Sequence, residues 1–154
     1  MSGRSYDHCG SNQKLLGETI GECLDRVAAA YPDNEFLVSI PQDLRFTYRE
    51  FVQVVNRAAK AFLSLGIRRG DRVAIWSINN YEWVVAQLAT ARIGAVLVNV
   101  NPAYRTHELE YVLRESRARA LILIDAFKSS NYVDMFYEVC PEAAECEPGH
   151  IESW

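Results

Sequence analysis

Two hydrophobic rhythms alternate along this chain. Leu24, Val27, Ala28 and Tyr31 recur at helical spacing behind Thr19 and Glu22. That Thr–Glu separation lets a hydroxyl and a carboxylate satisfy each other's backbone amides at a helix start. Pro32 ends the helix. The same spacing returns at Thr47 and Glu50, and Tyr48, Phe51, Val52, Val55, Ala58, Ala59, Phe62 and Leu65 then form one apolar face. This is the clearest amphipathic helix of the chain, and Gly66 closes it. Between the two helices, Glu35–Ile40 and Leu44–Tyr48 read as antiparallel strands joined across Pro41, Gln42 and Asp43, with Pro41 arguing for an edge position.

Beyond the turn Ile67–Asp71, the run Arg72–Ser77 is rich enough in Val, Ile and Trp to be a buried strand, and Ile78–Trp83 is a polar corner. Glu82–Ile93 is apolar almost all round, so a helix there must be covered on more than one side. Gly94 ends it. Ala95–Val100 is the next strand, which Pro102 prevents from continuing in a ladder. Thr106 is expected to cap a helix over about His107–Glu115, with Glu108 and Glu110 favouring its positive end. Ala120–Asp125 is a third apolar strand, and a last amphipathic helix covers about Tyr132–Val139.

Three apolar strands alternating with helices predict an α/β fold: a parallel sheet of right-handed βαβ units with flanking helices, plus the short antiparallel hairpin. Ligands of such sheets gather outside the carboxyl ends of the strands. The places to search are therefore Ser77–Tyr81 and Asn99–Thr106.

Composition narrows the choices. At 154 residues, 49% hydrophobic and 23% charged, the chain has material for one core, and its net charge of -4 with scattered basic residues offers no stripe for nucleic acid. No run approaches the roughly 18 apolar residues of a membrane span. Residues 1–17 are polar, with Arg4 and Lys14 as their only fixed cations; they read as a flexible lead-in and show no targeting segment, which leaves cytoplasm or mitochondrial matrix. Cys9, Cys23, Cys140 and Cys146 form no Cys-x-x-Cys pair and read as reduced thiols. Cys140, Cys146 and His150 lack a fourth ligand and zinc spacing, so coincidence is the better reading.

No Gly-x-Gly-x-x-Gly, Walker loop or Gly-x-Ser-x-Gly is present. His8, His107 and His150 are far apart, and His107 reads as a solvated first-turn residue. Asp125 could ligate magnesium, although an Asp leaving a strand more often caps a turn. Ser77, Asn79 and Asn80 could help bind an anion at helix amides, but Asn before a helix is first a cap. Trp76, Tyr81 and Trp83 read as core aromatics before pocket walls, and Arg68, Arg69 and Arg72 as a solvated basic turn before a phosphate clamp.

Three stretches carry a resemblance: "SYDHCGSNQKLLGETIGECL", "FTYREFVQVVNRAAKAFLSLGIRRGDRVAIWSINNYEWVVAQLATARIGAVLVNVNPAYRTHELEYVL" and "EVCPEAAECEPGHIESW". Together they resemble the start of an acyl-CoA synthetase of the adenylate-forming, AMP-binding superfamily, most of all its medium- and long-chain fatty acid members. The resemblance implies residues 18–154 as an incomplete N-terminal domain. It also implies a ligase using ATP, Mg and CoA: a fatty carboxylate is activated as an acyl-adenylate, and CoA then takes the acyl group. The family's Ser/Thr/Gly-rich loop ending in Pro-Lys-Gly, its later Glu, its ribose-binding Asp and Arg and its C-terminal-domain Lys are not in this sequence. No catalytic, cofactor-binding or metal residue is therefore assigned, and the chain by itself is expected to be inactive. The resemblance also predicts that the Glu82–Ile93 helix leaves an apolar face exposed, open to self-association or to docking. Two alternatives stand beside this reading: a non-catalytic truncated form that docks on a full-length synthetase, and a stand-alone flavodoxin-like module for nucleotides or flavins.

Overall fold

The computed structural model describes residues 15–146. Both Thr–Glu pairs form reciprocal caps. At the head of α1 (Ile20–Ala30) the Thr19 amide donates to the Glu22 carboxylate at 2.7 Å, and the Glu22 amide donates to Thr19 Oγ1 at 3.2 Å. At α2 (Tyr48–Ser64) the matching distances are 2.9 and 3.3 Å. Gly66 follows α2 at φ 84°, where its amide donates to Leu63 and that of the buried Ile67 to Phe62. The last carbonyls of α2 are thereby satisfied, in an arrangement that needs a left-handed residue.

Strands β1 (Glu35–Ser39) and β2 (Leu44–Thr47) pair antiparallel, as expected. Pro41 is not in an edge strand. It lies within a 3-10 turn, Ile40–Gln42, where its fixed φ suits the turn's opening, and Asp43 leaves that turn at φ 50°.

The main sheet is parallel and three-stranded, in the order β4 (Val96–Val100), β3 (Arg72–Trp76), β5 (Ala120–Leu123). β3 is central, which accounts for its unbroken apolar run: Val73 to Trp76 are all fully buried. On one face, Ala74, Trp76 and Val100 pack with Leu109 and Leu113 of α4 (Thr106–Ser116) and Met135 of α5 (Tyr132–Val139). The second core joins Leu24 of α1, Phe51 and Val55 of α2, and Val85 and Ala89 of α3 (Tyr81–Ile93). A further antiparallel ladder, β6 (Ala126–Phe127) with β7 (Ser130–Asn131), is too short to leave a periodic signal. Among the described residues, no helix is long and apolar enough to cross a membrane.

The apolar helix α3 is indeed covered on more than one side. It packs on α1, α2, β3 and β4, and only Glu82 and Gln87 are exposed along it. The expected open apolar face is narrowed rather than abolished: α1 and α2 cover much of the helix, while Tyr81, Val85 and Ala86 still border an open groove. What remains open is a shallow groove of about 290 Å³ shared by α2, α3 and β5, with Val54, Ala58, Phe62 and Ile122 in its walls. Thr106 needs a second correction: it is the first helical residue of α4, and Arg105 is the N-cap. An arginine side chain has no acceptor to offer, so the Glu108 carboxylate supplies the capping contact, taking the Arg105 amide at 3.0 Å.

Arg92 of α3 grips Asp25 of α1 with both terminal nitrogens, at 2.9 and 2.6 Å. That guanidinium holds the Asp25 carboxyl below the usual carboxylate range. Amide and hydroxyl donors do the same for Glu22 and Glu50, and chiefly the Arg105 amide does so for Glu108. All four shifts are downward on folding. Their stabilisation is fully present above the unfolded values, 3.8 for Asp and 4.5 for Glu, and is lost as the pH falls through the lower folded ones. Thermal melts should thus be level from pH 7 to about 5 and fall steadily below about pH 4. A melting temperature that holds to pH 3 would contradict these caps.

Candidate functional site

Two polar corners stand at the carboxyl ends of β3 and β4. In the first, Ser77 is buried; its Oγ donates to the Ile78 carbonyl at 3.0 Å and accepts from Asn80 Nδ2 at 3.1 Å. Asn80 Oδ1 accepts the Trp83 amide at 2.9 Å, so Asn80 is the cap of α3. A second cap comes from the hairpin: Gln42 Oε1 accepts the Tyr81 amide at 2.9 Å, while Gln42 Nε2 donates to Glu82, also at 2.9 Å. The Tyr81 and Trp83 amides, which an anion would need, are thus occupied by neutral side-chain oxygens. The hydrogen-bond partners of Ser77 are a carbonyl and an amide nitrogen, neither of which is a base that activates a hydroxyl. Asn79 lines a shallow pocket of about 310 Å³ with Val38, Ile40 and Val84.

The second corner is the loop after β4. Asn101 folds it locally, taking the Ala103 amide on Oδ1 at 2.9 Å and the Tyr104 amide on its carbonyl at 3.0 Å. Two rings then fasten it to the sheet. Trp76 and Tyr132 are fully buried and stacked, with centroids 3.8 Å apart and planes within 1°. Trp76 Nε1 donates to the Asn101 carbonyl at 3.1 Å, and the Tyr132 hydroxyl donates to the adjacent Pro102 carbonyl at 2.6 Å. Burial pushes the Tyr132 phenol up, so it remains a donor. Arg105, at the far end of the loop, donates to Ser130 Oγ at 2.6 Å, tying the loop to β7. The corner holds a backbone segment in place and brings together no acid–base pair.

Of the three candidate aromatics, Trp76 is a core residue, Tyr81 packs on Phe46 with centroids 5.6 Å apart, and Trp83 is half-buried on α3. His107 is exposed in the first turn of α4. Asp125 is exposed too, and its carbonyl takes the Tyr132 amide at 2.9 Å. Arg68, Arg69 and Arg72 lie at the opposite, amino end of the sheet. Cys140 is buried and Cys146 half-exposed; His8, Cys9 and His150 lie outside the described residues. Among the described residues, no three His, Cys, Asp or Glu side chains stand where they could share a metal ion. Sequence reasoning missed Gln42 and Tyr132, because each acts on a segment about thirty to forty positions away, beyond the reach of local patterns.

The sequence profile of AMP-binding enzymes matches residues 24–150. The chain belongs to the AMP-binding enzyme family. It is 41% identical over 153 residues to the mitochondrial medium-chain acyl-CoA ligase ACSF2 of Mus musculus, covering 99% of this chain and 25% of that protein. A putative long-chain-fatty-acid CoA ligase from Rhodopseudomonas palustris superposes with a TM-score of 0.72 at 30% identity, over 84% of this chain and 31% of that one. The N-terminal subdomain of NpsA from Klebsiella oxytoca gives a TM-score of 0.65 at 29% identity, over 70% and 27%. The chain thus spans about a quarter of the length of the AMP-binding relatives it matches. It corresponds to their N-terminal portion, and its parallel sheet with a small hairpin is the architecture found there.

Proposed function

We propose that these residues are the opening part of the N-terminal domain of a fatty acid–CoA ligase, with residues 1–17 leading into a domain that begins near residue 18. The whole enzyme would join a fatty carboxylate to the α-phosphate of ATP with release of pyrophosphate, and then transfer the acyl group to the CoA thiol with release of AMP. The observation that carries this reading is the match to ACSF2 across 99% of the chain. That relative's name calls it mitochondrial, which supports a mitochondrial location over a cytoplasmic one.

At the two strand-end corners, several donors that an ATP phosphate would use are already engaged. The Tyr81 and Trp83 amides at the head of α3 are taken by Gln42 and Asn80, and Arg105 is engaged by Ser130. A triphosphate needs free donors and a carboxylate-held cation, and the two corners supply neither. We propose no catalytic, cofactor-binding or metal-ligating residue at these corners. What this chain supplies is a scaffold: a buried central strand, and a strand-end loop held fast by Trp76 and Tyr132.

The test is an assay of the 154 residues for pyrophosphate release with ATP, magnesium and fatty acids of different chain length. No release above the level without fatty acid is expected. Fatty-acid-dependent release would overturn the assignment of no catalytic residue.

A further inference from the structure

We propose that a cleft at the amino end of the sheet binds a phosphate-bearing anion. The cleft, about 630 Å³, lies between the end of α4 and the starts of β3 and β5, at the end of the strands opposite the two corners. Four arginines line it, Arg72, Arg114, Arg117 and Arg119, with a single carboxylate, Asp71.

A helix carboxyl end ordinarily disfavours anions, because its unpaired carbonyls point outward. Here most of them are covered. Arg72 Nε donates to the Ser116 carbonyl at 2.9 Å and Arg72 Nη2 to that of Arg117 at 3.2 Å. The Arg117 and Ala118 amides donate to the carbonyls of Arg114 and Leu113, at 3.1 and 3.3 Å. With the helix end neutralised, the remaining guanidiniums set the local field.

The carboxylates do not balance them. Asp71 accepts the Arg68 amide at 2.7 Å and sits 3.6 Å from Arg119, beyond hydrogen-bond length. Arg114 is paired with Glu110 at 3.0 Å. Arg72 is engaged at the helix end, its Nη1 also donating to the Gly70 carbonyl at 3.2 Å, so among the described residues Arg114, Arg117 and Arg119 face the carboxylates of Asp71 and Glu110, in a chain whose net charge is -4. Guanidinium groups lining one cleft suit the oxygens of a phosphate group, which they can bind in pairs of parallel hydrogen bonds.

Arg117 adds an independent sign. It occupies the left-handed position after α4, at φ 49° and ψ 48°, where glycine is the usual residue and a side chain costs about 1 kcal/mol. Its side chain is exposed at the cleft rather than packed in the core. The strained backbone is thus not offset by burial.

The proposal stands apart from the ligase reading and is tested on the chain itself. The probes are inorganic pyrophosphate, followed by calorimetry at about 50 mM salt where screening is modest, and phosphatidylcholine vesicles with and without phosphatidic acid, followed by flotation. Arg117→Gly relaxes the backbone while removing a guanidinium, and Arg119→Ala removes a second. The wild type should bind at least one of the two phosphate-bearing probes saturably. The double variant should bind it at least about tenfold more weakly. Arg117→Gly should melt no lower than the wild type, so that lost binding cannot be read as lost folding. Pyrophosphate binding assigns a soluble ligand, and binding only to phosphatidic acid vesicles assigns a lipid headgroup. Absence of binding to both probes, or binding unchanged in the double variant, overturns the proposal.

Discussion

Trp76→Ala should lower stability by about 3–5 kcal/mol, the range for deleting a buried large aromatic. The ring is fully buried, lies flat on Tyr132 at 3.8 Å, and its Nε1 holds the Asn101 carbonyl. Removing it leaves a cavity against Tyr132 and takes from the Asn101 carbonyl one of its two donors, the other being the Tyr104 amide. A domain of ordinary stability has only about 5–15 kcal/mol in all, so urea unfolding should shift to far lower denaturant. Tyr132→Phe keeps the stack and removes only the hydrogen bond to Pro102, so it should cost about 1 kcal/mol. Proteolysis should speak to the local effect: cleavage between Asn101 and Arg105 should quicken in both variants, and more in Trp76→Ala. A Trp76→Ala cost under about 1 kcal/mol would show that the stack does not hold the sheet end together.

Phe51→Ala is expected to be comparably severe, at about 3–5 kcal/mol, for a different reason. Phe51 is fully buried on α2, and its ring meets Phe36 of β1 at 4.7 Å and Phe46 of β2 at 5.6 Å. It fastens the hairpin to the helices. Because Gln42, at the end of the hairpin turn, also caps α3, loosening the hairpin should expose the Tyr81 amide as well. Hydrogen exchange at Tyr81 should therefore accelerate in Phe51→Ala, even at a denaturant concentration where the rest of the chain remains folded. Unchanged protection at Tyr81 would separate the hairpin from α3.

Much of this architecture was legible because its determinants are local. Thr19–Glu22 and Thr47–Glu50 close their caps within one turn, and Gly66 and Gly94 lie where left-handed backbone ends a helix, at φ 84° and 73°. The three sheet strands were visible as apolar runs, since β3 is buried on both faces. What escaped was non-local or fine-grained. Nothing near Gln42 says that it caps a helix 39 residues on, and nothing near Tyr132 says that it holds Pro102, 30 residues back. Thr106 looked like a cap by residue type, but the Glu108 carboxylate fixes the helix start one residue earlier, at Arg105. The apolar girth of α3 was read correctly as a need for cover; the cover is supplied within the chain, by α1, α2 and the sheet.

At the candidate corners the legible part is the helix cap. An Asn before a helix reads as a cap before an anion ligand, and Asn80 is the residue that caps α3. The basic turn offered less guidance. Arg72 meets Arg114, Arg117 and Arg119 in one cleft only because α4 ends where β3 begins, although Arg72 comes from a different part of the sequence.

The central claim is that these residues serve as the start of a fatty acid–CoA ligase without contributing its reacting groups. The most direct test joins them, in place of the matching quarter, to the remaining length of mouse ACSF2, with the unaltered relative assayed in parallel. The account predicts fatty-acid-dependent pyrophosphate release and thioester formation by the fusion, and neither by the 154 residues alone. A folded, soluble fusion without activity beside an active relative, or activity in the 154 residues alone, would contradict it.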